Sequence, residues 1–143
     1  MSQAAQTYRD LLEKAIHIAK AAHEGQSNKT GGPFIDHVRR VAEAVSGDDE
    51  KLVAWLHDVV EKSSRWSFGA LRSEGFSEKV VEAVDAMSKR DGEDYLDFVR
   101  RSVANPLARP VKRADILDNL AQMRQIGGDG TKHRNGLRIL EEE

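Results

Sequence analysis

The sequence predicts an all-α fold, a compact helical bundle of about seven to eight helices. Three observations carry that expectation. Apolar residues recur at three- and four-residue spacing in one segment after another. No stretch alternates apolar and polar residues as a half-buried strand would. Capping residues, Gly and Pro punctuate the ends of the periodic segments. At 143 residues, with no internal repeat or low-complexity tract, the chain is expected to form one domain, 1–143, large enough to bury its own core.

Taken in order, Tyr8, Leu11, Leu12, Ala15, Ile16, Ala19, Ala22 and His23 line one face of a long first helix ending at Gly25. Residues 25–32, rich in Gly, Ser and Asn, read as a loop. Pro33 suits the first turn of the second helix, where its missing N–H costs nothing. That helix buries Phe34, Val38, Val41 and Val45 and breaks at Ser46-Gly47-Asp48. A third helix, roughly 49–62, is apolar on most sides and belongs at the centre of the core. Ser67 caps a short helix ending near Gly75, and Ser77 with Glu78 opens the next, striped by Val80, Val81, Val84 and Met87. After an Asp91-Gly92 turn comes a helix carrying Tyr95, Phe98, Val99 and Val103. Asn105-Pro106 can cap another start, and Pro110 predicts a short turn before a longer helix from about 111 to 126. Gly127-Gly128-Asp129-Gly130 separates a last amphipathic stretch, Leu137 to Leu140, and Glu141-Glu142-Glu143 reads as a solvated, frayed tail.

The absence of cysteine excludes disulfides, thiolate metal sites and cysteine nucleophiles. Glu13, Lys14 and Lys20 interrupt the first twenty residues, so neither a signal peptide nor a membrane span is expected and a cytoplasmic protein is the default. A net charge of −2 without a long basic run gives no sign of broad binding to duplex nucleic acid, while small phosphorylated ligands remain open.

The most informative residues are His57-Asp58, set in the run Leu52-Val53-Ala54-Trp55-Leu56-His57-Asp58-Val59-Val60-Glu61. Burying such groups is costly unless something pairs with them, and a divalent cation is a common partner for a His/carboxylate cluster. His37 follows Gly31-Gly32-Pro33-Phe34-Ile35-Asp36 at the start of the second helix, and Asp115 sits in a later amphipathic helix. On a continuous helix His57 and Glu61 share a face with Asp58 beside them, as do Asp115 and Asn119. Two imidazoles and two carboxylates suit Mn, Fe, Zn or a similar metal, which would acidify a bound water for attack on phosphorus. Glu61 is the nearest group to orient that water or take its proton. Each residue alone has a plainer reading. His37 could be a surface histidine, Asp115 a salt-bridge partner of Lys112 or Arg113, and Asn119 a packing hydrogen bonder. His23 reads as a hydrogen-bonded core histidine and His17 as solvated. His133, between Lys132 and Arg134, reads as exposed or close to a phosphate. Trp55, Tyr95 and Phe98 read as core.

In this order the stretches Ala21-Ala22-His23-Glu24-Gly25-Gln26, Gly32-Pro33-Phe34-Ile35-Asp36-His37, Leu56-His57-Asp58-Val59-Val60-Glu61 and Val111-Lys112-Arg113-Ala114-Asp115-Ile116-Leu117-Asp118-Asn119 resemble the HD-domain hydrolases. Within them they are similar to the RelA/SpoT-type branch, including the small stand-alone alarmone hydrolases. Tyr95 and Asn105-Pro106 also fit that spacing, and the resemblance spans about residues 5–126. It implies an HD-type helical domain with His37, His57, Asp58 and Asp115 as metal ligands, typically of Mn(II). It implies Glu61 as a catalytic residue, and Lys29 and Asn119 in contact with substrate. The reaction implied is removal of the 3′-diphosphate from guanosine tetra- or pentaphosphate by metal-activated water. No synthetase domain fits in this length, so any activity would be hydrolysis only.

Two departures stand out. The family's Glu-Asp pair is Glu61-Lys62 here, and its Arg-Lys pair is Asn28-Lys29. A cation at position 62, about 8 Å from a divalent metal in an effective dielectric near 20, would be repelled by about 4 kcal/mol. Lys62 is therefore expected to turn toward solvent or a carboxylate, unless it binds a substrate phosphate. Asn28 lacks the guanidinium that could stack on a base or fork a phosphate. Lys29, Lys112 and Arg113, with Asn28 and Lys62, are the candidate phosphate-side residues. Another nucleotide or pyrophosphate substrate is an alternative, as is a catalytically quiet nucleotide-binding regulatory module.

Overall fold

A computed structural model describes residues 2–142 and contains nine helices among them: α1 (Gln3–Ala22), α2 (Phe34–Glu43), α3 (Asp48–Leu56), α4 (Val59–Lys62), α5 (Phe68–Ser73), α6 (Glu78–Ala86), α7 (Tyr95–Ala104), α8 (Ala108–Ile126) and α9 (Thr131–Glu142). No described residue belongs to a β-strand, apart from an isolated bridge between Ser27 and Pro33 that ties the ends of the first loop. The all-α expectation holds. None of these helices is long and apolar enough to cross a membrane.

Local chemistry sets most boundaries. Ser2, Ser67 and Ser77 accept a backbone N–H at the starts of α1, α5 and α6, each satisfying a donor that the first turn leaves free. Lys51 in α3 donates to the carbonyls of Ala42 and Val45, closing the end of α2 against its successor. Gly127, at φ 66°, ends α8 in a left-handed cap that glycine adopts without a Cβ penalty.

Burial organises two clusters. The larger holds the whole run Leu52–Leu56 of α3 at its centre, with Ala15, Ile18 and Ala19 of α1, Val38 and Val41 of α2, Val80, Val81 and Val84 of α6, and Val111 of α8. The smaller joins Val99 and Val103 of α7, Ile116 and Leu120 of α8, and Ile139 and Leu140 of α9. α8 contributes to both.

Four details differ from the expectation. The helix expected over 49–62 is two, interrupted at His57-Asp58, where Asp58 leaves the helical region at φ −108°, ψ 1°. Counting that division brings the helices to nine rather than seven or eight. Pro110 does not break its segment. It lies in the first turn of a continuous α8, where the N–H it lacks would have no intrahelical partner. Asn105 caps this start, its Oδ1 accepting from the N–H of Leu107 and Ala108. Finally, α9 begins at Thr131, held by Asp129 Oδ1, and continues through Glu141 and Glu142. Those two residues are exposed but helical rather than frayed, and Glu143 lies outside the described residues.

Candidate metal centre and basic pocket

The interruption after α3 turns His57 and Asp58 toward the same interior as α2 and α8. His57 is buried, and its Nδ1–H donates to the Ala54 carbonyl at 2.6 Å. That bond leaves the lone pair of a neutral ring on Nε2. Nε2 stands 3.0 Å from Asp58 Oδ2 and 3.5 Å from Asp115 Oδ1, yet makes no aligned hydrogen bond. His37, also buried, sits in the first turn of α2 with Nε2 3.0 Å from Asp115 Oδ1. One nitrogen or oxygen from each of His37, His57, Asp58 and Asp115 lies within 4.8 Å of all the others.

Two lone-pair-bearing imidazole nitrogens facing two carboxylates repel unless something positive lies among them. Without a cation, the carboxylates favour protons on these rings. Burial pulls the His57 pKa down, but Asp58 and Asp115 outweigh it and hold the ring well above the ordinary histidine value. His37 is raised in the same way by Asp115 and Asp118. Burial likewise pushes the Asp115 carboxyl up, and Lys112, His37 and His57 overcome it and set it well below the usual carboxylate range. Asp58, similarly opposed by burial and favoured by His57, falls to about 2. The donor set, all nitrogen and oxygen with a buried unpaired Nε2, fits a divalent cation in place of those protons.

A second layer of side chains holds these donors. Asp118 Oδ2 accepts from His37 Nδ1–H at 2.6 Å, which fixes the tautomer that presents Nε2 inward. Arg40 forks onto Asp118 through Nε and Nη2, and Asp118 falls to about 2 because burial loses to His37 and Arg40. Asn119 Nδ2 donates to Asp115 Oδ1, as the shared helix face suggested.

Around the cluster lies a cavity of about 270 Å³ lined by Lys29, Lys62, Lys89, Lys112 and Lys132 together with Glu61, Tyr95, Asn119 and His133. The lysines come from the first loop, α4, the α6–α7 turn, α8 and α9 respectively. Glu61 is on the rim and accepts the Lys89 N–H on Oε1; desolvation by the walls and the nearby Asp58 carboxylate raise its pKa. Lys62 keeps to the exposed mouth with Nζ 5.2 Å from the centre of the Phe34 ring.

Several expected residues stand elsewhere than the sequence suggested. Lys112 is not an exposed helix lysine: it is buried, donates to Asp115 Oδ2 at 3.3 Å, and lies 4.0 Å from the centre of the Phe98 ring. Its ammonium faces a metal-site carboxylate rather than open solvent. Arg113 is exposed on the opposite face of α8, away from the cavity. Asn28 does not line the cavity. Its Oδ1 accepts from Thr30 N, Thr30 Oγ1 and Gly32 N, and its Nδ2 donates to the Pro33 carbonyl, so the amide is spent on holding the loop. His133 is buried rather than exposed, beside Tyr95 Oη at 3.4 Å, and burial with Lys29 and Lys132 pushes it down to about 4. Tyr95 is a cavity wall as much as a core residue.

His23 is the hydrogen-bonded core histidine expected of it, 2.8 Å from Gln26 Oε1 and packed on Phe34. His17 is exposed. Sequence reasoning missed Asp118, Gln122 and Lys89, and named Lys132 only within the exposed or phosphate-proximal cluster around His133. Asp118 and Gln122 had a usable signal, since they continue the 115/119 face by helical spacing. Lys89 had none, because nothing local marks a turn lysine as facing a cavity.

No protein-family model matches the chain. It is 31% identical to a probable GTP pyrophosphokinase of Mycobacterium leprae over 91% of this chain and 18% of that protein. It is 28% identical to a guanosine-3′,5′-bis(diphosphate) 3′-pyrophosphohydrolase of Aquifex aeolicus over 79% of this chain and 18% of that protein. The chain thus spans less than a fifth of the length of these relatives. Among solved structures, it superposes with a TM-score of 0.70 and 22% identity on a metazoan orthologue of SpoT that hydrolyses ppGpp and plays a role in starvation responses, covering 92% of this chain and 82% of that one.

Proposed function

We propose that this chain is a RelA/SpoT-type HD-domain hydrolase, a metal-dependent (p)ppGpp 3′-pyrophosphohydrolase acting as one domain in the cytoplasm, in the alarmone turnover of the stringent response; its likeness to the proteins named above supports this reading. The observation that carries this reading is the convergence of four buried ligand atoms within 4.8 Å beneath a lysine-lined cavity. His37, His57, Asp58 and Asp115 would hold the metal, Mn(II) in our reading. When bound, such a cation supplies Lewis acidity, acidifying water and neutralising phosphate charge.

The protein's own groups do the rest. Lys29, Lys62, Lys89 and Lys132 receive the substrate's phosphates at the mouth, and Asn119 orients the portion beside Asp115. Glu61 Oε1 is engaged by Lys89, which leaves Oε2 to take the proton of the attacking water. Its raised pKa suits that task, since a base nearer to neutrality both accepts and releases a proton readily. Water adds at the phosphorus bonded to the ribose 3′ oxygen, that P–O bond breaks, pyrophosphate departs, and the 3′ oxygen acquires a proton.

The deciding experiment is hydrolysis of guanosine tetraphosphate by purified protein loaded with Mn(II), read as pyrophosphate release. Turnover abolished by a chelator is the expected result. Absence of turnover with metal bound would overturn the alarmone reading.

A second reading has its own motive in Lys62, a cation at the mouth where the family pattern implies an acid. It is hydrolysis of another nucleotide or pyrophosphate, and a nucleotide panel assayed with Mn(II) separates the two. A quiet regulatory module is the remaining alternative; turnover by the native chain would end it.

A further inference from the structure

The first loop and the metal ligand His37 are joined by a short polar strut on α8. Gln122 is buried, and its Oε1 accepts the backbone N–H of Lys29 at 2.9 Å. A backbone N–H can only donate, so this contact settles which end of the Gln122 amide is which. The other end, Nε2, then donates to Asp118 Oδ2 at 2.8 Å and lies 3.3 Å from His37 Nδ1. Asp118 Oδ2 is the same oxygen that accepts the hydrogen bond of His37 Nδ1–H. A continuous path therefore runs from the Lys29 backbone through Gln122 and Asp118 to the imidazole that faces Asp115.

The loop can pass on what it feels. Asn28 binds Thr30 and Gly32, Asn28 N donates to the Gly32 carbonyl, and Phe34 N donates to the Gln26 carbonyl. Residues 26–34 thus behave as one tied piece, and Lys29 lies on it at the cavity wall. A shift of the piece moves the Lys29 ammonium and pulls on Gln122 together.

We infer that Gln122 is a positioning residue that couples the Lys29 loop to the metal ligand His37, so that a metal at His37 steadies the loop against an incoming phosphate. This rests on the metal-site reading above. By reciprocity, an anion that steadies the loop favours the metal.

Hydrogen exchange at the Lys29 amide, with and without Mn(II), tests it on the full chain. In the native protein Mn(II) is expected to slow exchange at Lys29. In Gln122→Leu, exchange there is expected to rise about fivefold or more, as loss of one hydrogen bond implies, and to ignore Mn(II). Gln122→Glu keeps the acceptor for Lys29 but sets a carboxylate against Asp118. It should protect the Lys29 amide while severing the link to Asp118, so that exchange there no longer responds to Mn(II), and it serves equally if the leucine variant does not fold. For turnover, Gln122→Leu should raise KM about fivefold with kcat within about twofold. A residue that merely fills space would leave the Mn(II) response of Lys29 intact, and that result overturns the coupling. Mn(II) that binds the native chain without slowing Lys29 overturns it too, while the metal reading survives. A native chain that takes up no Mn(II) overturns the metal reading itself, and the coupling with it.

Discussion

Lys112 is the residue whose role changed most between sequence and structure. Its ammonium lies 4.0 Å from the centre of the Phe98 ring and meets Asp115 in a buried setting. Removing Lys112 takes one cation from Asp115, which keeps His37 and Asn119 as partners. Lys112→Met is therefore expected to lower the stability of the metal-free protein by about 1.5 kcal/mol, the loss of one hydrogen bond to a charged group, measured by denaturant unfolding. With Mn(II) at Asp115 the deficit should shrink, since the cation supplies the missing positive charge. An equal deficit in both states would mean that Lys112 serves packing alone. The candidate metal ligands were legible in the sequence because His and Asp in apolar runs demand a partner. Lys112 was not legible in the same way: a lysine three residues from an aspartate on a helix looks identical whether that face is wet or dry.

At the scale of elements, the turn at His57-Asp58 was invisible in the sequence. No Gly or Pro marks it, and the apolar pattern runs straight through. The expected neighbours still meet, but by a different route, because Asp58 approaches His57 from the start of a new helix rather than from the same face of one. α9 was half legible for a related reason. Its early turns carry Lys132 and His133 toward a polar cavity, so they lack the apolar signature that Leu137 and Leu140 supply. Close packing of that helix gives an expected outcome. A methyl group at Gly136 would lie 3.0 Å from Tyr95 Oη and 3.2 Å from Ile116 Cδ1. Gly136→Ala gains helix propensity but overpacks this contact, for a net loss of about 1 kcal/mol on thermal melting. A more stable variant would mean that Tyr95 yields.

The α6–α7 junction carries a pH dependence of its own. Arg101 donates to both Glu93 oxygens and to the carbonyls of Asp85 and Ser88. The Arg101 hydrogen bonds hold the Glu93 carboxyl at about 2, against an ordinary value of 4.5. A depressed carboxyl stabilises the fold fully above its unfolded pKa, and that contribution fades as pH falls from 4.5 toward 2. Glu93→Gln should accordingly melt earlier than the native chain at neutral pH, with the gap closing across that acid window. A gap independent of pH would show the contact to be steric.

For the whole molecule, the all-α class followed from periodicity and caps, whereas the partition into two clusters depends on which long-range faces meet, something that spacing alone does not encode. α8 binds the clusters together, and the candidate metal ligands lie where α2, the α3–α4 turn and α8 converge. A cation there bridges elements distant in sequence and stabilises the assembled state by mass action. Mn(II) at about a hundred times its dissociation constant should add about 2.7 kcal/mol, or roughly 8 °C in melting temperature for a domain of this size. No shift would argue against a preassembled site.

The five lysines of the cavity come from five separate segments, and burial, with the charges of Lys29, Lys112 and Lys89 added to it, lowers the proton affinity of Lys132. In dilute buffer these segments push one another apart across the cavity. Added salt, with a Debye length near 10 Å at 0.1 M, damps that repulsion over the distances involved. Ionic strength should therefore tighten this fold before any ligand is supplied, while weakening its grip on a polyanion once one is present.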